Sequence, residues 1–348
     1  MNFESGTLQD WFYSQENKLH LFPGKRNYVS YYMNFEDFLD REIHPHVGTV
    51  MSRENCDIFL NDHSAKHVDM VIEKASYLLK DLEDSMAITP YETFILLSAI
   101  QIHDAGHIIN AKRAKHAEDS KELVQELDSK NVTTWEKKII YDIAKAHSGK
   151  DDLIGKQNLF SGEGVDKIRQ KLLSAILRMA DELADGKSRA ACYLFEKEKI
   201  PLESEIFHAF SYCLERFKID VRSHEINMEF CLNIEHTKRQ YYKQITETEF
   251  ENKFLIDEIY ERTLKTFNEC MYYNRFVPEN MRLSSVNVEI NFIEAKSLEY
   301  FFDRIAYRIE ESGYPKLNSY DIFEICEDKL IKDGAKIDGQ YIANQLKI

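Results

Sequence analysis

Apolar residues recur at helical spacing through the stretch from residue 61 to residue 195. Between residues 68 and 82 they fall at every third or fourth position, which is the stripe of an amphipathic helix that packs on a core. Further helices of this kind are predicted near residues 113–128, 134–147 and 165–185.

Two helix starts carry a specific signal. Thr89 is followed by proline and then, three positions on, by Glu92, so that a capping box can satisfy the first amide groups of a helix. Residues 94–102 behind this box are apolar nearly all round, which predicts a central buried helix. Thr133 and Glu136 form a second capping box.

The pattern changes after residue 201, where alternating segments appear. Residues 217–221 and 226–234 alternate on either side of a short polar turn and predict a β-hairpin. The order of elements expected in this region is ββαβαα. Its later members are a long helix opened by Thr246 and Glu249 and ending near Tyr273, a strand at 286–292, and helices near 297–311 and 319–333.

These elements predict a mainly α protein, a helical bundle with a C-terminal α+β subdomain. Residues 1–60 are rich in aromatics and poor in periodicity, and are interpreted as an N-terminal cap segment that packs on the helical region. Residues 61–200 form the helical domain and 201–348 the α+β accessory domain, with a boundary near 196–204.

Composition and charge narrow the class of protein. The 348 residues are 43% hydrophobic and 30% charged, which is the balance of a globular chain. A net charge of −15 disfavours wrapping of duplex DNA and adhesion to anionic membranes. The longest nearly apolar stretch is too short to span a bilayer, the N-terminus lacks a signal-peptide layout, and the six Cys form no CxxC pair. These features favour a cytoplasmic protein with reduced thiols.

Polar groups continue the apolar stripes of several predicted helices. A single His in such a place is most often a satisfied core residue, but five helices that each send a His or Asp inward are different. Buried carboxylates are costly unless they are paired, and a cation would resolve that cost. Imidazole and carboxylate ligands without thiolate suit Mn, Fe, Zn, Ni or Co. The residues concerned are His67, His103, Asp104, His116, His147 and Asp181.

The order of these residues resembles the HD superfamily of metal-dependent phosphohydrolases. The local sequence segments support this resemblance. The segment NDHSAKHVDMV resembles the first-helix motif of the superfamily. The segment SAIQIHDAGH resembles its paired His-Asp motif, and ILRMADELAD resembles its closing motif. RAKHAEDS and IAKAHSGK resemble the additional ligands of the two-metal branch. The resemblance covers about residues 61–190.

The resemblance implies two metal sites that share one carboxylate. His67, His103, Asp104 and Asp181 would form the first site, with Asp104 bridging, and His116 and His147 would complete the second. Two divalent ions (Mn, Fe, Zn, Ni, Co or Mg) would then activate a hydroxide and neutralise charge on a phosphate ester. The implied function is hydrolysis of a phosphate ester, with a nucleotide or cyclic nucleotide as the expected substrate.

Three nearby residues leave alternatives open. His63 lies one turn before His67 and is either a substitute ligand or an outer residue, with the outer role favoured. His107 lies one turn after His103 and is a ligand, a proton donor to the leaving group, or an orienting residue, with the last two favoured. Asp185 lies four residues after Asp181 and could exchange roles with it, although the resemblance favours Asp181.

Basic residues stand beside several of the proposed ligands and are candidates for binding phosphate. The fork of Arg189 can hold two oxygens, and with Lys187 it is expected to hold the anion during catalysis. The complete set is Lys112, Arg113, Lys115, Lys150, Lys187 and Arg189.

Two other functions remain alternatives. One is a di-iron oxygenase of HD type, because the same ligands serve iron. The other is a nucleotide-sensing module without turnover, a milder form of which would hold a purely structural metal. The expected partner is a small phosphorylated molecule. A nucleic-acid substrate is secondary, a membrane is not expected, and a homo-oligomer is an open expectation.

Overall fold

The computed structural model describes residues 6–51, 61–80, 87–109, 116–128, 130–149, 151–162, 166–244, 249–310 and 321–346. These residues divide into two compact units. The first comprises 6–51, the described part of His63–Ala184, and Tyr273–Met281. The second comprises Asn61, Asp62, and the described residues of Asp185–Tyr272 and 282–346.

The first unit is helical. Short 3-10 turns at Leu19–Leu21, Pro23–Lys25, Ala105–Ile108, Val124–Glu126 and Glu279–Met281 join or extend its helices. The α-helices are α1 (Leu8–Tyr13), α2 (Tyr28–Glu42), α3 (His44–Met51), α4 (Ala65–Leu78), α5 (Pro90–Ile102), α6 (His116–Leu123), α7 (Thr134–Lys145), α8 (Leu153–Lys156) and α9 (Gln170–Leu183).

Helix α5 is the centre of this unit. Every residue from Tyr91 to Ile102 is buried, and the helix packs against α1, α2, α4, α7 and α9. The prediction of a central buried helix is therefore confirmed, and its apolar circumference explains why it needs neighbours on all sides.

Local capping fixes where α5 and α7 begin. The Oγ1 of Thr89 accepts a hydrogen bond from the amide of Glu92, whose carboxylate accepts one from the amide of Thr89. Thr133 and Glu136 make the same pair of bonds at the start of α7. Both predicted capping boxes are confirmed.

The second unit combines sheets and helices. Its helical elements are a 3-10 turn at Lys187–Arg189, α10 (Cys192–Glu196), α11 (Leu202–Cys213), α12 (Ile234–Lys238), α13 (Leu255–Tyr273), α14 (Ile322–Ile325), α15 (Glu327–Leu330) and α16 (Gly339–Gln345). Its strands are β1 (Leu214–Asp220), β2 (Glu225–Leu232), β3 (Gln240–Gln244), β4 (Phe250–Phe254), β5 (Ser285–Phe292), β6 (Ile305–Glu310), β7 (Ile331–Lys332) and β8 (Ala335–Lys336).

The main sheet has the strand order β1-β2-β5-β6. Strands β1 and β2 are antiparallel with Asp220 opposite Glu225, which confirms the predicted hairpin. Strand β5, also predicted, runs parallel to β2, and β6 is antiparallel to β5. The two remaining pairs, β3-β4 and β7-β8, form separate two-stranded sheets. The mainly α architecture with a C-terminal α+β region is thus confirmed.

Several predicted helices of the second unit are wrong in extent or type. The segment interpreted as a helix near 297–311 contains strand β6, in which Ile305, Tyr307 and Ile309 are buried and the residues between them exposed. That period of two is the signature of a strand. The helix predicted near 319–333 is two short helices followed by β7.

The long helix of the second unit starts later than expected. Helix α13 begins at Leu255, and residues 250–254, predicted to be helical, form β4. Thr246, the predicted cap, lies outside the described residues. In the first unit α9 begins at Gln170, a few residues later than expected. Helix α6 is described from His116, and its predicted start at residue 113 lies outside the described residues. Among the described residues, no helix is both long and apolar enough to cross a bilayer.

Candidate metal centre

Five segments of the first unit bring His and Asp side chains together. His67 lies in the first turns of α4, and His103 and Asp104 stand directly at the end of α5. His116 is the first residue of α6 and His147 lies just beyond the end of α7, while Asp181 lies in the last turn of α9. His67 and His103 are fully buried and Asp104 and His147 nearly so.

The first group contains His67, His103, Asp104 and Asp181, whose ligand atoms lie within 4.8 Å of one another. The two imidazole Nε2 atoms are 3.3 Å apart. Each lies 3.4 Å from Oδ2 of Asp104. Oδ1 of Asp181 is 3.1 Å from the Nε2 of His67 and 3.7 Å from that of His103.

The second group contains Asp104, His116 and His147. The two Nε2 atoms are 3.1 Å apart. They lie 3.3 Å and 3.4 Å from Oδ1 of Asp104. Asp104 therefore belongs to both groups and presents a different carboxylate oxygen to each.

These separations fit a cation in each group. Two ligand atoms that each lie about 2.1 Å from one ion, at angles of about 90–110°, are about 3.0–3.4 Å apart. Most of the observed separations fall in or next to that range. Nitrogen and carboxylate donors without thiolate match Mn, Fe, Co, Ni or Zn.

Backbone contacts orient two of the imidazoles toward the centre. Nδ1 of His103 donates to the carbonyl of Ile100 at 2.7 Å, and Nδ1 of His147 donates to that of Ala144 at 2.6 Å. Because a carbonyl oxygen only accepts, each Nδ1 carries a proton, and a ligand ring held in this way would present the lone pair of its Nε2 to the site.

Close packing requires a glycine at position 106, in the segment HDAGH. A Cβ built on Gly106 would lie 1.9 Å from the carbonyl oxygen of His116 and 2.8 Å from the amide of Ser120. Only glycine lets the turn after Asp104 approach the start of α6 this closely. The approach is what places His116 beside Asp104.

Electrostatics hold the carboxylates in their charged form. Burial alone would raise the pKa of Asp104, but His103 and His63 outweigh it and bring that pKa well below its usual range. Burial likewise opposes ionisation of Asp181. Its interactions with His103 and His67 outweigh burial and lower the pKa of Asp181 well below its usual range. Both carboxylates are therefore ready to bind cations.

Metal uptake is expected to release a proton from His103. Burial opposes its charged form, yet Asp104 and Asp181 raise its pKa well above the ordinary value. A ligand imidazole must be neutral, so affinity for Mn²⁺ should increase with pH, by up to about tenfold per unit below that pKa. Calorimetry in buffers of different ionisation enthalpy measures the proton. Equal affinities at about pH 6 and about pH 8 would contradict this expectation.

The three residues with open roles occupy distinct places. Nδ1 of His63 lies 2.6 Å from Oδ2 of Asp104. His107 is buried, and its ring stacks on that of His116 with centroids 4.2 Å apart and 9° between the planes. Asp185 belongs to the second unit and has its own partners, Ser211 at 2.6 Å and Arg262 at 3.2 Å. Asp181 is therefore the acidic residue of α9 that joins the first group.

The predicted anion-binding residues lie in the second unit or outside the described residues. Lys187 and Arg189 are in the second unit, where Lys187 lies 3.4 Å from Glu215 and the Nε of Arg189 donates to the carbonyl of Asp62 at 3.1 Å. Their contact with phosphate stays a prediction. Lys112, Arg113, Lys115 and Lys150 lie outside the described residues.

One supporting contact was not predicted from the sequence. His44 is buried with its Nδ1 2.9 Å from Oδ1 of Asp40, and its Nε2 donates to the carbonyl of Gln101 at 3.0 Å. Gln101 lies in the last turn of α5, two residues before His103. The i,i+4 spacing of Asp40 and His44 was the available signal, but the N-terminal region has no clear stripe to place it on.

Comparison with known families adds an independent finding. A family model described as HD-CE matches residues 54–262, which is more than half of the chain and includes every residue of both groups. A comparison with curated proteins finds no match.

Proposed function

Because the chain belongs to the HD-CE family, we propose that it is a metal-dependent phosphohydrolase that cleaves a phosphate ester, with a nucleotide or cyclic nucleotide as substrate. The observation that carries the proposal is the position of Asp104. Its Oδ2 faces His67 and His103, and its Oδ1 faces His116 and His147.

One carboxylate shared between two groups of donors is the arrangement of a two-metal site. Two divalent ions bound there would lower the pKa of a water and neutralise charge on the phosphoryl oxygens. In this proposal His67, His103 and Asp181 hold one ion, His116 and His147 hold the other, and Asp104 bridges them. The fixed imidazoles and the buried carboxylate keep these donors in place without reorganisation.

His107 has a supporting part in the proposal. Its ring covers one face of His116, and it is 2% exposed, so it holds the His116 ring in its plane. Donation of a proton to the leaving group is the other role expected from the sequence.

In the second unit, Lys187 and Arg189 remain the proposed anion-binding residues, and that unit selects the substrate or mediates assembly.

The experiment is a substrate panel with protein first stripped by a chelator. Nitrophenyl phosphate esters, nucleotides, cyclic nucleotides and cyclic dinucleotides are tested with and without Mn²⁺. We expect hydrolysis that depends on the metal, that is abolished by His103→Ala, and that is kept by His20→Ala, a change at an exposed His in the turn Leu19–Leu21.

The same protein distinguishes the alternatives. Iron retained in anaerobic purification together with oxygen uptake on a polyol or phosphonate would indicate the oxygenase. Tight binding of a nucleotide that is recovered unchanged would indicate the sensing module. No metal-dependent turnover on any ester of the panel would contradict the proposed hydrolase.

A further inference from the structure

His63 makes a short contact with the carboxylate shared by the two groups. It lies two residues before the first residue of α4, and its Nδ1 is 2.6 Å from Oδ2 of Asp104. Its side chain is 19% exposed, whereas that of Asp104 is 8% exposed. The ring stands 5.3 Å from that of His67 and 5.5 Å from that of His107. The contact thus comes from the more open side of the cluster.

The distance distinguishes a hydrogen bond from shared coordination. Two donors on one ion, each about 2.1 Å from it, lie at least about 3.0 Å apart at ordinary coordination angles. The pairs of the first group obey this limit, with separations from 3.1 Å to 3.7 Å. At 2.6 Å, His63 and Asp104 are too close to be neighbouring ligands, and the separation is that of a charge-assisted hydrogen bond.

The oxygen that His63 contacts is the one that faces the first group. Oδ2 of Asp104 is also 3.4 Å from the Nε2 atoms of His67 and His103. A donor fixed on Oδ2 sets the plane of the whole carboxylate. It therefore also fixes the direction of Oδ1, which faces His116 and His147.

We propose that His63 is a positioning residue that donates an Nδ1–H hydrogen bond to Asp104. This bond keeps one carboxylate oxygen of Asp104 facing the first group of ligands and the other facing the second group. The inference rests on the proposed two-metal function and assigns to His63 a role in metal binding, not in contact with substrate. Residues that orient a ligating carboxylate in this way typically contribute about 10–100-fold to metal affinity.

Because the proposed donor is Nδ1, variants of His63 can be chosen that either keep or remove a donor at the position of this atom. The amide nitrogen of Asn reaches the position that Nδ1 of His occupies, whereas the amide nitrogen of Gln reaches the position of Nε2. His63→Asn is therefore expected to keep the hydrogen bond, and His63→Ala and His63→Gln are expected to lose it. A matched control is His20→Ala, which removes an exposed imidazole of the same unit.

Two measurements test the proposal without reference to turnover. Titration of the stripped full-length protein with Mn²⁺ should show that His63→Ala and His63→Gln bind about 10–100-fold more weakly, while His63→Asn stays within about threefold of the wild type. Electron paramagnetic resonance of the Mn²⁺-loaded proteins reports the coupling of two ions through their shared carboxylate. We expect coupled spectra for the wild type and His63→Asn, and uncoupled or weakly coupled spectra for the other two.

The outcomes separate this inference from the proposed function. Wild-type affinity and coupling in both His63→Ala and His63→Gln would overturn the positioning role while leaving the two-metal site intact. Loss of one ion in all three variants would overturn it in favour of a ligand role. A wild type that binds no Mn²⁺ would overturn the proposed function together with the inference. If His63→Ala does not fold, the contrast of His63→Asn with His63→Gln decides.

Discussion

Replacing Asp104 by Asn should reduce metal-dependent hydrolysis by about 1,000-fold or more and lower the number of bound ions from two to one or none. We expect this size because loss of a single preorganised electrostatic group in an active site costs about 10²–10³, and this residue serves two ions. Asn keeps the shape of the side chain but provides one neutral oxygen in place of two charged ones. The change therefore removes the shared ligand without opening a cavity.

The environment of Asp104 explains why no neighbour can replace it. Four imidazole Nε2 atoms lie 3.3–3.4 Å from its two oxygens. Asp181 contacts His67 and His103 of the first group, and the second group contains no other carboxylate among the described residues. The second ion would thus lose its only charged protein ligand in that set.

The measurement combines elemental analysis of Mn with initial rates on the best ester of the panel. The matched control is Asp37→Asn, which neutralises an exposed carboxylate of α2 that pairs with Arg41 at 2.7 Å. The control should keep wild-type rates and metal content. Two ions per chain and near-normal rates in Asp104→Asn would contradict the bridging role.

Replacing Arg169 by Met should destabilise the helical unit by about 3–5 kcal/mol, the usual cost of removing one partner of a buried ion pair. Glu92, at the start of α5, is 2% exposed in its side chain and accepts from Nε of Arg169 at 2.9 Å and from Nη2 at 2.7 Å. Nη2 also donates to the carbonyl of Ala87 at 2.7 Å. Without the Arg169 side chain, the hydrogen bonds that remain to this carboxylate among the described residues come from the backbone amides of Thr89 and of residue 169.

Urea unfolding monitored by circular dichroism measures this effect. The double variant Glu92→Gln/Arg169→Met should recover part of the loss, because a neutral amide is less costly to bury than an unpaired charge. Arg41→Met makes the same substitution in an exposed pair and should change stability by less than about 1 kcal/mol. A loss in Arg169→Met no larger than in Arg41→Met would show that the buried pair adds little.

The parts of the fold that were predictable are those whose signals are local. Helix α5 is marked by a capping box and by an apolar body, and both are set within a few residues of Thr89. Strand β6 was missed because its period of two is short and lies among Glu and Arg residues, which are common in helices. Pairing of β5 with β2 and β6 depends on residues far apart in the chain, which no local pattern contains.

In the candidate site, too, the features with local sequence signals were predictable, and those that depend on packing were not. Four His and Asp181 could each be placed on the buried face of a predicted helix, and the order of motifs added the resemblance that grouped them with Asp104. Helical periodicity alone could not choose between Asp181 and Asp185, although the resemblance favoured Asp181, which the fold places in the first group. The contact of His63 with Asp104 depends on where segments meet and required the fold. The close approach of α6 at Gly106 is likewise a property of packing, which helical periodicity does not determine.

Anomalous diffraction from crystals of the full-length protein soaked in Mn²⁺ tests the two-metal arrangement most directly. We expect two peaks about 3.5–4 Å apart on either side of Asp104. One should lie among His67, His103 and Asp181, and the other beside His116 and His147. A single peak, or Mn²⁺ bound only away from these six side chains, would contradict the two-metal arrangement.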